Sequence, residues 1–476
     1  MNENDPRPPF GRFVIAGLCI ALIAFNACGG SNENTANNID PEAQKIALQN
    51  EPMVKTACSG CHAFVPADKL DKTTWEAVIK VMAPKMGIFE HNGETYFNEK
   101  SDPNVDASIY PLNPTIAPED LDKIFHYYQT LAPDALPNQN RKYPIAKDNG
   151  LFQLNHQNGM FPAVGNMPMT TFVSMVPGKN EIIMGSFGEK GNLASFNTNG
   201  TRNWSQDFPS APTWIDFSNP NQWLVTCIGS VQPTNAKIGS IHNFSPQSKS
   251  SSVVASEVAR PVMSFRLPQS NQILINAFGH LKGQTYTYNT NKKSQEQVLR
   301  DIPGAICSRI ADWDGDGKKD ILTLFAQNKE SIVFFKNTGS GYQETATLLE
   351  TMPVYGSNSF DLADMNGDGK LDIVYTCGDN ADYSVILKDY HGVYVYLNQG
   401  NNQVKQGYFY PIHGCFKALA RDFDLDGDQD IITVSFFADF LSQHEEAAVY
   451  LENNKMDFKP YALPGYDMGR WLTMDA

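Results

Sequence analysis

The chain of 476 residues lacks the features of two large classes of protein. Only 41% of its residues are hydrophobic and its mean hydropathy is −0.36, which excludes a polytopic membrane protein. Its 37 basic residues are outnumbered by 52 acidic residues, and no basic run could follow a phosphate backbone. We therefore expect no nucleic acid partner. At this length, two or more folded units are expected.

The apolar run near the N-terminus is too short to span a bilayer. It reads "FVIAGLCIALIAF", has 13 residues and follows Arg7 and Arg12, which is the arrangement of an export signal. Small Ala27 precedes Cys28, and a polar tract follows. This arrangement resembles a bacterial lipoprotein signal, which implies a signal peptide at 1–27, a lipid on Cys28 and a polar linker at 28–39. Simple secretion is the alternative. The expected location is the periplasm, or the outer membrane or cell surface with the lipid as the membrane anchor.

Cysteine is scarce, yet two of the eight cysteines lie in one short motif, "CSGCH". Its C-x-x-C-H spacing is the attachment signature of c-type haem, because Cys58 and Cys61 can each form a thioether to the porphyrin while His62 reaches the iron. A thioredoxin-like pair would follow a strand, and a structural zinc would need two further ligands nearby. Neither context is present. The motif predicts one covalent haem c with His62 as an axial iron ligand.

Three short helices are predicted around this motif. Their sequences are "DPEAQKIALQNEPMVKTA", capped by Asp40; "TTWEAVIKVMA", capped by Thr73 or Thr74 and ended by Pro84; and "APEDLDKIFHYYQTLAP", with Leu121, Ile124, Tyr128 and Leu131 on one face. Residues 40–137 resemble a small class of cytochrome c domain.

The resemblance to cytochrome c implies a methionine as the sixth iron ligand. Met82, which follows Trp75 by about two helical turns, is the first choice. Met86 in "PKMG" is the alternative, because that sequence resembles a ligand motif of other members. Thioether ligation raises the reduction potential, which suits electron transfer.

Three aspartate-rich segments near the C-terminus are near copies of one another. They read "DWDGDGKKD" from Asp312, "DMNGDGKLD" from Asp364 and "DFDLDGDQD" from Asp422. Repetition at this period indicates a solenoid or a propeller. Oxygen ligands on alternate residues, with a glycine at the turn, suit a hard cation, and calcium suits them better than magnesium. An EF-hand is excluded, because its twelfth loop position requires a glutamate and each segment instead runs into a predicted strand.

The pattern is similar to FG-GAP or VCBS repeats, known from integrin-type propellers, where the loop joins two adjacent strands of a blade. The resemblance implies about three Ca²⁺ ions. The side-chain ligands it implies are Asp312, Asp314, Asp316 and Asp320; Asp364, Asn366, Asp368 and Asp372; and Asp422, Asp424, Asp426 and Asp430. It implies three further ligands through the backbone carbonyl, at Lys318, Lys370 and Asp428.

Earlier strand-turn-strand segments without aspartates predict metal-free blades. Together with the three repeats they give six four-stranded blades between about 150 and 465. The final "GRWLTMDA" is similar to the opening strand of a repeat, which predicts a seventh blade that is cut off. The expected fold is therefore multidomain, with a small all-α cytochrome c domain followed by an all-β propeller at 150–476, seven-bladed and truncated at its C-terminus.

The combination predicts an exported, lipid-anchored c-type cytochrome that transfers electrons to or from a redox partner protein or a terminal reductase or oxidase. The calcium-stabilised propeller would bind a glycan, a protein or another ligand. One alternative is a propeller-based sugar or alcohol dehydrogenase that delivers electrons to its own haem. No catalytic constellation occurs in residues 150–476, so we assign no catalytic residue. The other alternative is a cell-surface adhesion or glycan-binding protein.

Overall fold

A computed structural model describes residues 40–98, 100, 109–155, 169–268, 270–381 and 384–476. The predicted signal peptide and lipidation site, Cys28, lie outside the described residues. Three helices occupy the N-terminal part of the described chain, and 24 strands follow from Thr170 onward. No helix in the described part has both the length and the apolar character of a membrane span.

Among its described residues, the helical region contains three α-helices, a small hairpin and short 3₁₀ turns. Their bounds are α1 (Pro41–Cys58), α2 (Lys72–Met82) and α3 (Pro118–Leu131), β1 (Glu90–His91) and β2 (Glu94–Thr95), and the turns Ala67–Lys69 and Ala83–Met86. Helix α1 begins where predicted, because the Asp40 side chain accepts a hydrogen bond from Glu42 N. The predicted cap of α2 was wrong. Asp71 caps it instead, since its carboxylate accepts the Thr74 N–H at 2.8 Å.

One apolar core joins the three helices. Leu121, Ile124 and Tyr128 of α3 are buried, as the sequence predicts, and α3 packs against α1. Trp75 of α2 stacks on the Tyr128 ring with 3.7 Å between ring centroids and donates its indole N–H to the Ala67 carbonyl at 2.8 Å. The three helices therefore pack around one shared apolar core, and the hairpin of β1 and β2 accompanies them.

The remaining strands form six antiparallel four-stranded sheets, each with its strands in sequence order. The first three sheets contain β3 (Thr170–Met175), β4 (Glu181–Ser186), β5 (Gly191–Asn197), β6 (Arg202–Phe208); β7 (Pro212–Asp216), β8 (Trp223–Cys227), β9 (Gly239–Ser245), β10 (Ser250–Val258); β11 (Pro261–Arg266), β12 (Gln272–Ala277), β13 (Gln284–Asn289), β14 (Ser294–Arg300). The last three contain β15 (Ala305–Ala311), β16 (Asp320–Phe325), β17 (Ser331–Asn337), β18 (Tyr342–Glu350); β19 (Ser357–Ala363), β20 (Asp372–Cys377), β21 (Gly392–Gly400), β22 (Gln403–Pro411); β23 (Cys415–Arg421), β24 (Asp430–Ser435), β25 (Ala448–Glu452), β26 (Lys459–Ala462). Further 3₁₀ turns span Pro353–Tyr355, His444–Ala447 and Tyr466–Met468.

The first strands of consecutive sheets lie side by side, which arranges the sheets as blades of a β-propeller. The second strands β16, β20 and β24 are buried at every position, as expected of strands covered on both faces. The sequence predicts six four-stranded blades between 150 and 465, and six are observed among the described residues.

The predicted seventh blade is not supported. Among the described residues, those after Met468 form no strand. Asp475 instead accepts hydrogen bonds from the Ser174 hydroxyl at 2.6 Å and the Met175 N–H at 2.9 Å, beside the first blade. The Lys417 ammonium of the sixth blade donates to the Met474 carbonyl at 2.7 Å. The final segment is thus held by isolated contacts to blades one and six rather than by a strand ladder.

The segment between α3 and β3 fastens the helical region to the propeller. Ala146 forms a parallel bridge with Tyr461 at the outer strand of blade six. The Gln139 amide donates to the Lys388 carbonyl at 3.1 Å, and the Tyr390 hydroxyl donates to the Lys69 carbonyl at 2.8 Å. The two folded regions therefore share direct polar contacts.

A buried carboxyl between blades four and five makes stability depend on pH. Glu330 accepts hydrogen bonds from the Ser357 N–H and hydroxyl, and burial raises its pKa to about 8. The folded chain therefore binds more protons than the unfolded chain between the ordinary value of 4.5 and about 8, so stability falls as pH rises through this window.

We expect Glu330→Gln to flatten this pH dependence. In the unmodified protein, Glu330 alone should lower the free energy of unfolding by up to about 1 kcal/mol for each pH unit between 4.5 and about 8. The measurement is urea unfolding between pH 5 and 8. The exposed Glu350→Gln should leave the slope unchanged, and equal slopes in all three proteins would contradict the account.

Candidate functional site

The C-x-x-C-H motif lies where α1 ends. Cys58 is the last residue of the helix and packs, half-buried, against the helical core, while exposed Cys61 and half-buried His62 lie in the turn that follows. Neither cysteine forms a disulfide. Burial raises the pKa of the Cys58 thiol. The three predicted residues therefore stand together at the edge of an apolar core.

The His62 ring is held in one tautomer. Its Nδ1 lies 2.8 Å from the Ala63 carbonyl oxygen, which can only accept, so Nδ1 carries the proton. A neutral ring then presents the lone pair of Nε2. Metal-binding histidines are commonly oriented by such a bond to a backbone carbonyl. Two thiols and an imidazole with an available Nε2 form a donor set that fits a covalently attached haem.

Both candidate methionines are half-buried. Met82 is the last residue of α2, and Met86 ends the 3₁₀ turn that follows. Met86 packs against the same apolar cluster as Cys58, and its carbonyl accepts the Thr115 N–H at 2.9 Å. Gly87 has φ +84°, and a Cβ there would lie 2.8 Å from the Asn113 carbonyl oxygen. The glycine of "PKMG" is therefore required by the local backbone, which fixes the position of Met86.

The three aspartate-rich loops each join the first and second strands of a blade, as the sequence predicts. They connect β15 to β16, β19 to β20 and β23 to β24. Each hairpin closes on the last aspartate of its loop, in the pairs Ala311↔Asp320, Ala363↔Asp372 and Arg421↔Asp430.

The first aspartate of each loop is bonded to the backbone of the turn. It accepts the N–H of the glycine five residues later, at 2.9 Å in the first loop, 2.8 Å in the second and 3.1 Å in the third. These glycines, Gly317, Gly369 and Gly427, have φ values of 86°, 84° and 103°, which explains the invariant D-G step. The following residues, Lys318, Lys370 and Asp428, each donate their N–H to the aspartate two positions earlier.

Carboxylate oxygens converge in two of the loops. In the first loop, one carboxylate oxygen each of Asp312, Asp314 and Asp320 lie within 4.8 Å of one another. In the third loop, the same is true of Asp422, Asp424 and Asp426. The second loop has Asn366 at the equivalent position of Asp314. Its Asp368 N–H is 3.0 Å from both Asp364 and Asn366 side-chain oxygens. Clustered oxygens of this kind fit a calcium ion.

The last aspartate of each loop is a structural clamp. Asp320, Asp372 and Asp430 are fully buried, and burial raises the pKa of each. In every case one oxygen accepts the N–H of the second loop residue and the other accepts the N–H of an asparagine at the end of the third strand, at 2.8 Å.

These asparagines were missed by the sequence analysis. Asn337, Asn398 and Asn453 each return a side-chain N–H to the carbonyl that precedes the clamping aspartate, at 3.0, 3.2 and 2.9 Å. The signal was present, because "KNTG", "LNQG" and "ENN" occur at the end of the third strand of each repeat. It could not be recognised without knowing that the turn after the third strand lies against the loop.

The residue before each asparagine differs in charge between the loops. It is Lys336 in the first, Leu397 in the second and Glu452 in the third. The Lys336 ammonium bonds Asp314 and lies 3.0 Å from an Asp316 oxygen. The first loop therefore already holds a cation among its carboxylates, whereas the third has an additional acidic neighbour.

Comparisons with known proteins agree with the repeat prediction. Residues 285–375 match the FG-GAP-like repeat family, a segment that includes the first two aspartate-rich loops. No curated protein matches the chain.

Several solved structures are similar in fold to part of the chain. A periplasmic gluconolactonase of Pseudomonas aeruginosa has 12% identity and a TM-score of 0.44, and the match covers 63% of this chain and 86% of that one. The hydrazine synthase of Kuenenia stuttgartiensis has 11% identity and a TM-score of 0.41, covering 58% and 80%. An auxiliary nutrient binding protein of Bacteroides ovatus has 11% identity and a TM-score of 0.37, covering 55% and 65%. At these values the similarities carry no conclusion about activity.

Proposed function

We propose that the protein is an exported, lipid-anchored c-type cytochrome that transfers electrons, with a calcium-stabilised propeller that binds a ligand or partner. The observation that carries the proposal is the donor set at the end of α1. Two unpaired thiols and an imidazole oriented through Nδ1 lie within five residues. Few chemistries other than covalent haem attachment need all three groups together.

Each residue of the motif has a defined part in this proposal. Cys58 and Cys61 would hold the haem by thioethers, and His62 Nε2 would ligate its iron. Bound in this way, haem c supplies a one-electron Fe(III)/Fe(II) couple. Ala63 keeps the His62 ring oriented through its carbonyl.

Two variants separate the candidates for the sixth ligand. Replacing the true ligand by leucine should lower the reduction potential by on the order of 0.1 V or more, because axial ligands set haem potentials over a range of about 0.8 V. The sequence favours Met82, whereas the packing of Met86 beside the Cys58 cluster supports the alternative. Potentiometry of Met82→Leu and Met86→Leu distinguishes them, since only one should shift.

The absorption spectrum of protein matured with haem tests the proposed function. We expect haem bands that persist after denaturation and organic extraction, and that shift on reduction. A colourless protein, or one whose haem is extracted completely, would contradict it. Reduction of the bound haem by an added sugar or alcohol with a quinone cofactor would instead indicate the dehydrogenase alternative.

Calcium in the three loops would screen carboxylates that otherwise repel, by about 1 kcal/mol per pair in water at 4 Å. The structural clamp of each loop binds the second loop residue and the asparagine, and the first aspartate accepts the glycine N–H. Because these bonds order the loop before an ion binds, the entropic cost of arranging the ligands is small. Extracellular calcium modules bind in the range of about 10⁻⁴ to 10⁻³ M, which fits an exported protein.

We expect Lys336→Gln to raise the calcium affinity of the first loop by about tenfold. The ammonium that bonds Asp314 must be displaced by an incoming cation, and glutamine removes that competition without adding an acid. Isothermal titration with calcium measures the affinity of each class of site. The matched control is Lys329→Gln, a lysine in the same blade between its second and third strands. An affinity that does not change in Lys336→Gln would show that the lysine does not compete.

A further inference from the structure

An open cavity of about 360 Å³ lies at the axis of the propeller. Its lining comes from the first strands of blades one to six, from the residues just after them, and from Asp475 of the C-terminal segment. The aspartate-rich loops follow three of these first strands, β15, β19 and β23. The cavity and the loops therefore lie on the same face of the propeller. The volume is within the usual range of small-molecule sites.

One wall of the cavity is aromatic and comes from blades one to three. The Trp214 ring lies between Phe172 and Phe265, with ring centroids 6.0 and 5.2 Å away. The Trp214 indole nitrogen is buried and has no hydrogen-bond partner among the described residues. The part of Trp214 that the cavity offers to a ligand is therefore its ring, which lines the cavity.

The opposite wall is cationic and comes from blades four to six. Arg309 and Arg421 share one carboxylate, that of Asp361, at 3.1 and 2.9 Å. Within the described chain, Arg421 donates only through Nη1, and its side chain is 46% exposed. Its Nε and Nη2 donors therefore have no acceptor among the described residues.

The aspartates of the cavity are already engaged by N–H donors. Asp361 has both oxygens on the two arginines, and Asp216 accepts the Ser218 and Arg266 N–H groups at 2.7 and 2.6 Å. Asp475, the third aspartate of the lining, accepts the Ser174 hydroxyl and the Met175 N–H through one oxygen, at 2.6 and 2.9 Å. Carboxylates held in this way have little capacity for a cationic ligand. Lys417 also lines the cavity, but its ammonium donates to the Met474 carbonyl, so the spare positive donors of the site are those of Arg421.

We propose that the axial cavity binds a small organic acid, whose carboxylate pairs with Arg421 and whose flat body lies against Trp214. Guanidinium groups bind carboxylates through charge-assisted, often bidentate hydrogen bonds. This specifies the ligand-binding role proposed above for the propeller and rests on that part of the proposed function. It is independent of the haem.

Calorimetric titration of the full mature chain in calcium-containing buffer tests the proposal with two matched pairs of probes. Glucuronate is compared with glucose, and benzoate with benzyl alcohol, so that the arms distinguish a sugar acid from an aromatic acid. We expect at least one acid to bind ten- to a hundredfold more tightly than its neutral partner, the range of a charge-assisted hydrogen bond.

Arg421→Gln should abolish this preference, whereas Lys405→Gln, which removes one positive charge from the outer strand β22, should leave it intact. Trp214→Leu keeps an apolar side chain but removes the flat ring that lines the cavity, and should weaken binding severalfold if Arg421→Gln proves too unstable to measure. No preference for either acid, or equal affinities in Arg421→Gln and Lys405→Gln, would overturn the proposal. Because the haem spectrum is measured separately, failure here is distinguishable from failure of the electron-transfer role.

Discussion

Replacing Cys58 and Cys61 together by alanine is expected to abolish covalent haem attachment completely. A thioether requires a sulfur atom on each side chain, and alanine offers none. The structural cost should be small, because Cys61 is exposed and Cys58 only half-buried. Haem absorbance in the denatured, extracted protein measures the effect.

Cys227→Ala is the matched control for this variant. Cys227 is a fully buried thiol in β8, remote in sequence from the motif, and its loss removes a sulfur without touching the helical region. Its haem content should equal that of the unmodified protein. Covalent haem that survived in the double variant would show that the attachment site lies elsewhere.

The second large effect is expected at Arg141, in the segment between the helices and the propeller. Its guanidinium bonds Glu446 and Gln443 and donates to the Pro411 carbonyl at 3.0 Å. The Glu446 side chain is fully buried and also accepts the His413 N–H at 3.2 Å. Removing Arg141 would leave this carboxylate buried without its main counter-charge.

We expect Arg141→Ala to lower the free energy of unfolding by about 3–5 kcal/mol, the usual cost of breaking a buried ion pair by removing one partner. The adjacent Lys142 pairs with Asp457 at 2.6 Å, but its side chain is 67% exposed, so Lys142→Ala should cost no more than about 1 kcal/mol. Denaturant unfolding followed by tryptophan fluorescence compares the two. Equal effects would show that the Arg141 cluster does not hold the segment to blade six.

The parts of the fold that could be predicted are those with a local sequence signal. Asp40 before Pro41 marks the start of α1, and the repeated D-G steps locate three hairpin loops. The N-cap of α2 was misplaced because "DKTT" contains three residues that can each cap a helix, namely Asp71 and the two threonines. The geometry was needed to show that the Asp71 carboxylate reaches Thr74 N.

The parts that could not be predicted depend on contacts between distant segments. Each clamping aspartate bonds an asparagine that lies between 17 and 26 residues further along the chain. The aromatic and cationic walls of the axial cavity come from opposite halves of the propeller, so no segment contains both. The seventh blade was inferred from the similarity of "GRWLTMDA" to an opening strand, but this segment contacts blade one through Asp475 instead.

The intact mass of the denatured chain, produced in cells that mature c-type cytochromes, tests the central claim most directly. The account predicts a mass equal to the mature polypeptide plus one haem, with Cys58 and Cys61 both resistant to alkylation. A mass equal to the bare polypeptide, with both thiols alkylated, would contradict it.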